Sequence, residues 1–250
     1  MKKALLALIL ASNIGLATNY GLIVGIGNYQ NIGSLSGINN DIKIYEKILK
    51  NWDVHKLVIL KNQGATKANI LSNLRTIAYQ IKKGDRFFMF FSGHGTNLKD
   101  IAYTDSLQKA GLSEIMKDSG AILPYDFNKN NIRNTIIIGK NLKRILKTID
   151  NKISTGLIVF DACFSGNSIR NKRGVKINQT PYILTHLKGY PYKKIDYIAS
   201  SIIESNPGKF SPILRKCLTK YDLNQIKSCI NSQNRAITPM LPAIISGKAH

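Results

Sequence analysis

Two short turns in this chain bring together residue types suited to covalent catalysis. Ser92-Gly93-His94-Gly95 directly follows the apolar run Arg86 to Phe91, and Asp161-Ala162-Cys163-Phe164-Ser165-Gly166 directly follows the run Gly156 to Phe160. Glycines flanking a histidine permit a tight turn and a close backbone approach, which exposes the imidazole at the end of its strand. The second turn presents a thiol in the same way. A thiolate is the attacking form of cysteine, and a neighbouring imidazolium favours it. In this scheme Cys163 attacks a carbonyl carbon, and His94 protonates the leaving amine and then activates water to release the acyl-enzyme. The backbone N–H groups of Gly95 and Cys163 are the expected donors to the oxyanion. Taken singly, a cysteine after an apolar strand reads as a small buried hydrophobe and a histidine as a surface residue. The pair, each in a glycine-containing turn after its own strand, favours catalysis.

This chemistry requires that the two strands be neighbours. Gly21 to Ile26, His55 to Leu60, Arg86 to Phe91, Gly156 to Phe160 and Ile195 to Ala199 are short runs of Ile, Val, Leu and Phe with little alternation, as expected of strands covered on both faces. Between them, Asp41 to Asn51, Lys67 to Ile81 and Asn141 to Ile149 carry apolar stripes at helical spacing. Alternation of this kind predicts an α/β fold with a mainly parallel sheet between helical layers, and a ligand site beyond the carboxyl ends of the strands. Consecutive strands are usually adjacent, so His94 and Cys163 are expected to meet at that edge. Two long connections, 96–122 and 167–194, are expected to be loops.

Composition narrows the class further. With 44% hydrophobic and 20% charged residues the chain is globular, neither fibrous nor disordered. The net charge of +22 attracts polyanions in general. The lysines are dispersed among Asn and Ile, without the arginine tract or interleaved aromatics of a nucleic-acid reader, so no specific nucleic-acid partner is expected. Lys2 and Lys3, the apolar run Ala4 to Leu10 and the small residues Gly15 and Ala17 have the form of a secretory signal peptide at 1–17, leaving one domain at 18–250 and an exported location, periplasmic or extracellular. Ser12 and Asn13 interrupt that run short of the ~20 apolar residues a membrane span needs. Three cysteines in an oxidising compartment leave one free or paired between molecules, and pairing of Cys217 with Cys229 would leave Cys163 free. His55, His186 and His250 show no metal-ligand spacing, and Gly25 and Gly27 lack the third glycine of a dinucleotide fingerprint.

The two turns resemble the signatures of caspases, metacaspases and their bacterial relatives. Gly21 to Tyr29, Leu35 to Asp41, Ile122 to Asp126, Tyr197 to Ser201 and Gly208 to Ser211 resemble, in order, that family's first strand, first helix, the segment before its fourth strand, its fifth strand and the helix after it. The resemblance runs from about Tyr20 to near Pro239. It implies the three-layer α/β/α caspase-like (caspase-hemoglobinase) fold and a cysteine-type endopeptidase acting through a Cys-His dyad. Caspases that cut after aspartate carry Gln two residues before the nucleophile, whereas Asp161 stands there in this chain. This departure implies the metacaspase branch and a preference for Arg or Lys before the scissile bond, through a charge-assisted contact. Asp41 matches the second pocket acid, although Asp in the opening turn of a helix can also act as its cap. Ser92 and Ser201 complete the implied substrate-binding set.

Phe164 occupies a position where metacaspases usually have His. The segment 96–122 holds Asp100, Asp105, Glu114 and Asp118 but not the dense acidic cluster of calcium-activated relatives, so the resemblance does not carry calcium activation over, and no cofactor is expected. Arg170, Lys172 and Arg173 would be self-cleavage points for an enzyme of basic specificity. The rival reading is a catalytically silent caspase-like module, a pseudopeptidase that recognises peptides or polyanions. The presence of both His94 and Cys163 argues against it. The sequence assigns no oligomeric state.

Overall fold

The structure, a computed structural model, describes residues 17–98, 102–116, 120–162, 191–200, 210–219, 222–234 and 243–245. In chain order the elements are β1 (Asn19–Gly25), α1 (Ile38–Asn51), β2 (Lys56–Lys61), α2 (Lys67–Gln80), β3 (Arg86–Ser92), β4 (Gly95–Thr96), α3 (Thr104–Lys109), α4 (Ser113–Met116), β5 (Ala121–Ile122), α5 (Ile132–Thr135), β6 (Ile137–Ile138), α6 (Gly139–Lys152), β7 (Thr155–Asp161), β8 (Ile195–Ala199), α7 (Phe210–Cys217), α8 (Leu223–Asn234) and β9 (Ala243–Ile245).

A six-stranded sheet has the order β2-β1-β3-β7-β8-β9, parallel throughout except for β9, which runs antiparallel to β8. Side chains alternate across each strand, yet both faces are covered. Leu22, Val24, Phe87, Met89, Phe91, Ile158 and Phe160 join one apolar core with residues of α2 and α6. Ile23, Phe88, Phe90, Leu157 and Val159 join a second core with residues of α1, α7 and α8. Two buried faces explain the near-continuous apolar runs. The result is the expected three-layer α/β/α arrangement with a mainly parallel central sheet.

Local sequence sets the helix ends. Thr66 Oγ1 accepts from the Asn69 N–H at 3.2 Å to cap α2, and Asn141 Oδ1 accepts from the Ile138 N–H at 2.9 Å at the start of α6. Asp150, buried near the end of α6, accepts from the backbone N–H groups of Lys193 (3.0 Å) and Lys194 (2.7 Å) and so fixes the approach to β8.

Segment 96–122 departs from the expected loop. It contains α3 and α4, and its two ends form β4 and β5 of a three-stranded antiparallel sheet completed by β6. Leu107, Leu112 and Met116 from this segment are buried in the first core, which is why it folds back rather than extending into solvent. Residues 1–16, most of the connection 167–194 with Arg170, Lys172 and Arg173, and Phe164 lie outside the described residues.

Candidate active site

β3 and β7 are adjacent and parallel, with Ser92 paired to Asp161 at their carboxyl ends. His94 lies two residues beyond Ser92, and Cys163 lies two residues beyond Asp161 in the sequence. Cys163 is outside the described residues, which run to Ala162 in this connection; Ser201 is outside them too. The strand adjacency required by the sequence reading is therefore present, in register.

The turn after β3 is built around Tyr29. The His94 N–H donates to the Tyr29 hydroxyl at 2.6 Å, and the two rings sit 4.9 Å apart. Gly93 makes this approach feasible: a Cβ there would lie 2.6 Å from the Tyr29 hydroxyl and 3.0 Å from Phe91. The Gly93 N–H donates to the Asp161 carbonyl at 3.2 Å, which ties the histidine turn to the end of β7. On the imidazole, Nε2 lies 2.9 Å from the Gly33 carbonyl oxygen. A carbonyl can only accept, so Nε2 carries a proton and, in the neutral ring, Nδ1 holds the basic lone pair. Gly33 is a residue that sequence reasoning missed. It contributes only a backbone oxygen, and no side-chain type signals that role.

Beside His94, the Leu123 N–H donates to the His94 carbonyl at 3.0 Å, while Gly95 pairs with Ile122. In an antiparallel ladder this marks Gly95 and Ile122 as a non-hydrogen-bonded pair, so the Gly95 N–H is directed away from β5.

The acidic residues converge on the face of the sheet that packs against α1. Asp41 is fully buried. It does not cap α1, whose N-cap is Gly37 in the left-handed conformation at φ 88°. Its carboxylate instead accepts from Ser92 Oγ at 2.8 Å and from Ser211 Oγ on α7. Gly25, paired with Ser92 at the end of β1, has no side chain where one would strike Ile42, and this lets α1 settle over the strand ends. Asp161, 3% exposed, accepts from the Tyr45 hydroxyl at 3.3 Å through Oδ2. Its Oδ1, like the buried Ser200 Oγ, has no hydrogen-bond partner among the described residues.

Burial, and after it the negative charge of Asp41, raise the Asp161 carboxyl to about 7. The Tyr45 hydroxyl pulls the other way, as does Ser200, which is close enough to act but short of hydrogen-bond geometry. Burial likewise holds the Tyr29 hydroxyl far above its ordinary range, so it stays protonated beside His94. The structure thus brings Asp41, Ser92 and Asp161 into one buried acidic cluster, with His94 and Gly95 on the turn that continues from Ser92. No cluster of three metal-ligating side chains occurs among the described residues.

The profile of the metacaspase, peptidase C14 domain matches residues 20–171, more than half of the chain. The chain belongs to this family. Similar metacaspases include metacaspase-1 of Plasmodium falciparum, 28% identical over 214 residues that cover 76% of this chain and 32% of that protein. Metacaspase-2 of Trypanosoma brucei brucei is 28% identical over 157 residues, covering 58% of this chain and 41% of its own. Metacaspase-1A of Aspergillus oryzae is 27% identical over 164 residues, with 61% and 35% covered. The chain therefore spans about a third to two fifths of the length of these metacaspases. A crystal structure of a Geobacter sulfurreducens protein matches with a TM-score of 0.62 at 16% identity, covering 92% of this chain and 94% of that one, a likeness of fold.

Proposed function

We propose that this metacaspase-family protein is an endopeptidase that cleaves after Arg or Lys, with Cys163 as nucleophile and His94 as general acid and base. The observation that carries the reading is the in-register pairing of Ser92 with Asp161, because it puts the histidine turn and the strand leading to Cys163 at one sheet edge, whose last residues are the buried Asp161 and the Ser92 that donates to the buried Asp41.

In this mechanism the Cys163 thiolate adds to the scissile carbonyl carbon, and His94 donates a proton to the departing amine. Water then loses a proton to His94 as it attacks the thioester, and the thiol is regenerated. The Gly33 carbonyl holds the imidazole in one tautomer and favours the imidazolium that partners the thiolate. The N–H of Gly95, directed away from β5, and that of Cys163 serve the oxyanion. Asp161, Asp41, Ser92 and Ser201 form the pocket for the basic side chain, where Asp161 Oδ1 offers an acceptor that makes no hydrogen bond to the described residues. No cofactor enters the scheme.

An exported location is part of the same proposal and is supported by the signal-like first 17 residues and by the disulfide between Cys217 and Cys229, whose Cα atoms lie 5.5 Å apart. That bridge leaves Cys163 as the one cysteine not engaged by it.

Fluorogenic peptides ending in Arg, Lys and Asp test the reading. Cleavage of the Arg and Lys peptides by the wild type, absent in Cys163→Ala, is expected. Preferential cleavage of the Asp peptide would overturn the pocket assignment, and turnover of none of them under reducing conditions would overturn the peptidase.

A further inference from the structure

Besides Asp41, a second residue from outside the two signature turns reaches the acidic cluster. Ser211 lies in the first turn of α7, is fully buried, and donates its hydroxyl to Asp41 Oδ1 while Ser92 Oγ donates to Oδ2 at 2.8 Å. Both oxygens of Asp41 are thus engaged, each by a hydroxyl from a different layer of the fold, one from the sheet and one from a helix. Asp161 has the opposite character: Oδ2 is engaged by Tyr45, and Oδ1 has no partner among the described residues.

α7 is held by more than its packing. Phe210, Ile213, Leu214 and Cys217 are buried in the second core beside α1, and the Cys217–Cys229 disulfide fastens the far end of α7 to α8, whose Ile226 and Ile230 fill the same core. Ser211 and Cys217 lie six residues apart on one helix, a rise of about 9 Å. A shift of the fastened end is therefore felt at the hydroxyl.

We propose that Ser211, held in place by α7 and its disulfide, is a positioning residue that fixes the Asp41 carboxylate as the stationary charge of the cation pocket, leaving Asp161 as the acid that meets the incoming side chain. The proposal rests on the basic specificity put forward above. Without the Ser211 hydroxyl, Asp41 Oδ1 is a buried acceptor short of a donor, and the carboxylate turns toward another in response. That movement weakens the pocket for a guanidinium while leaving the dyad untouched.

Two measurements test this. With Arg and Lys fluorogenic peptides, Ser211→Ala is expected to raise KM roughly tenfold with kcat within about threefold of wild type, as suits loss of one hydrogen bond to a charged group; Ser211→Thr, which keeps the hydroxyl, is expected to restore KM. Cys217→Ser/Cys229→Ser is expected to raise KM in the same direction and to be less than additive with Ser211→Ala. Calorimetric binding of agmatine, a free guanidinium cation, to Cys163→Ala protein reads the pocket without turnover, and Ser211→Ala is expected to weaken it by a similar factor. Equal agmatine affinity with and without the hydroxyl, or a fall in melting temperature with KM unchanged, would reduce Ser211 to a packing residue and overturn the proposal, as would absence of agmatine binding altogether. Failure of the wild type to cleave Arg and Lys peptides while agmatine binds in a Ser211-dependent way would overturn the peptidase reading alone.

Discussion

Asp161 is buried next to a second carboxylate, and in the proposed pocket its protonation decides what it can bind. At about 7 its carboxyl is half neutral near physiological pH, and a neutral acid offers little to a guanidinium. Among the described residues, the charged and titratable groups that act on it are Asp41 and Tyr45, both on α1. Affinity for a basic substrate should therefore rise as pH passes upward through 7. Between pH 6 and 8 the ionised fraction grows about tenfold, so KM for an Arg peptide is expected to fall by about that factor, and Asp161→Asn should raise KM and flatten its pH profile. A KM independent of pH in the wild type would count against Asp161 as the contact. Linkage runs the other way for stability. The folded pKa lies above the ordinary 3.8, so the folded protein holds a proton that the unfolded chain releases. The contribution of Asp161 to stability is complete below about pH 4 and is lost as pH rises through 7. Thermal melts at pH 8 should show Asp161→Asn melting above wild type, with the gap closing toward pH 4.

At the scale of elements, the turn joining β3 to β4 is where local geometry bears on the proposed activity. A Cβ on Gly93 would sit 2.6 Å from the Tyr29 hydroxyl, which receives the His94 N–H. Gly93→Ala is expected to push Tyr29 aside and shift the imidazole, lowering kcat by on the order of 10- to 100-fold while the fold survives. Adding Tyr29→Phe removes the crowding oxygen and should recover part of the loss; no recovery would place the fault elsewhere in the turn. Much of this framework is legible in the sequence. The strands from Arg86 and from Gly156 were bounded by glycine-containing turns and by charge, so they fall within a residue or so of the observed β3 and β7. β4, β5 and β6 were not legible, because two residues carry no periodicity and their pairing is set by tertiary contact. The short helices α3 and α4 were hidden for a similar reason, since four to six residues cannot display a helical stripe. In the candidate site, side chains with strong chemical character were readable as candidates: His94, Asp161 and Asp41. Gly33, Tyr29 and Ser211 were not, because a carbonyl, a buried phenol and a distant serine acquire meaning only when folding brings them to His94 and Asp41.

Under the proposed specificity, the whole molecule sets a conflict that the pocket must overcome. A chain of net charge +22 repels the basic peptides that a carboxylate-lined site would select. The two effects act over different distances. Lysines such as Lys82, Lys83, Lys140 and Lys143 are exposed, so their repulsion works through solvent and is screened within about 10 Å at 0.1 M salt. Asp41 and Asp161 are buried, and their attraction for a cation seated beside them is screened far less. Added salt should therefore remove the long-range repulsion before it weakens the short-range attraction. For an Arg peptide with neutral flanks, kcat/KM is expected to rise several-fold between about 10 and 150 mM NaCl, the reverse of the trend for ordinary electrostatic steering. Replacing neutral flanking residues with Asp or Glu should raise kcat/KM at low salt and make the salt dependence change sign, because such a peptide is attracted by the body and by the pocket alike. Measuring both peptides across that range separates the two fields. If the neutral-flanked peptide slows monotonically with salt, the lysine-rich surface is not repelling it, and a local acidic field extends well beyond the buried pair.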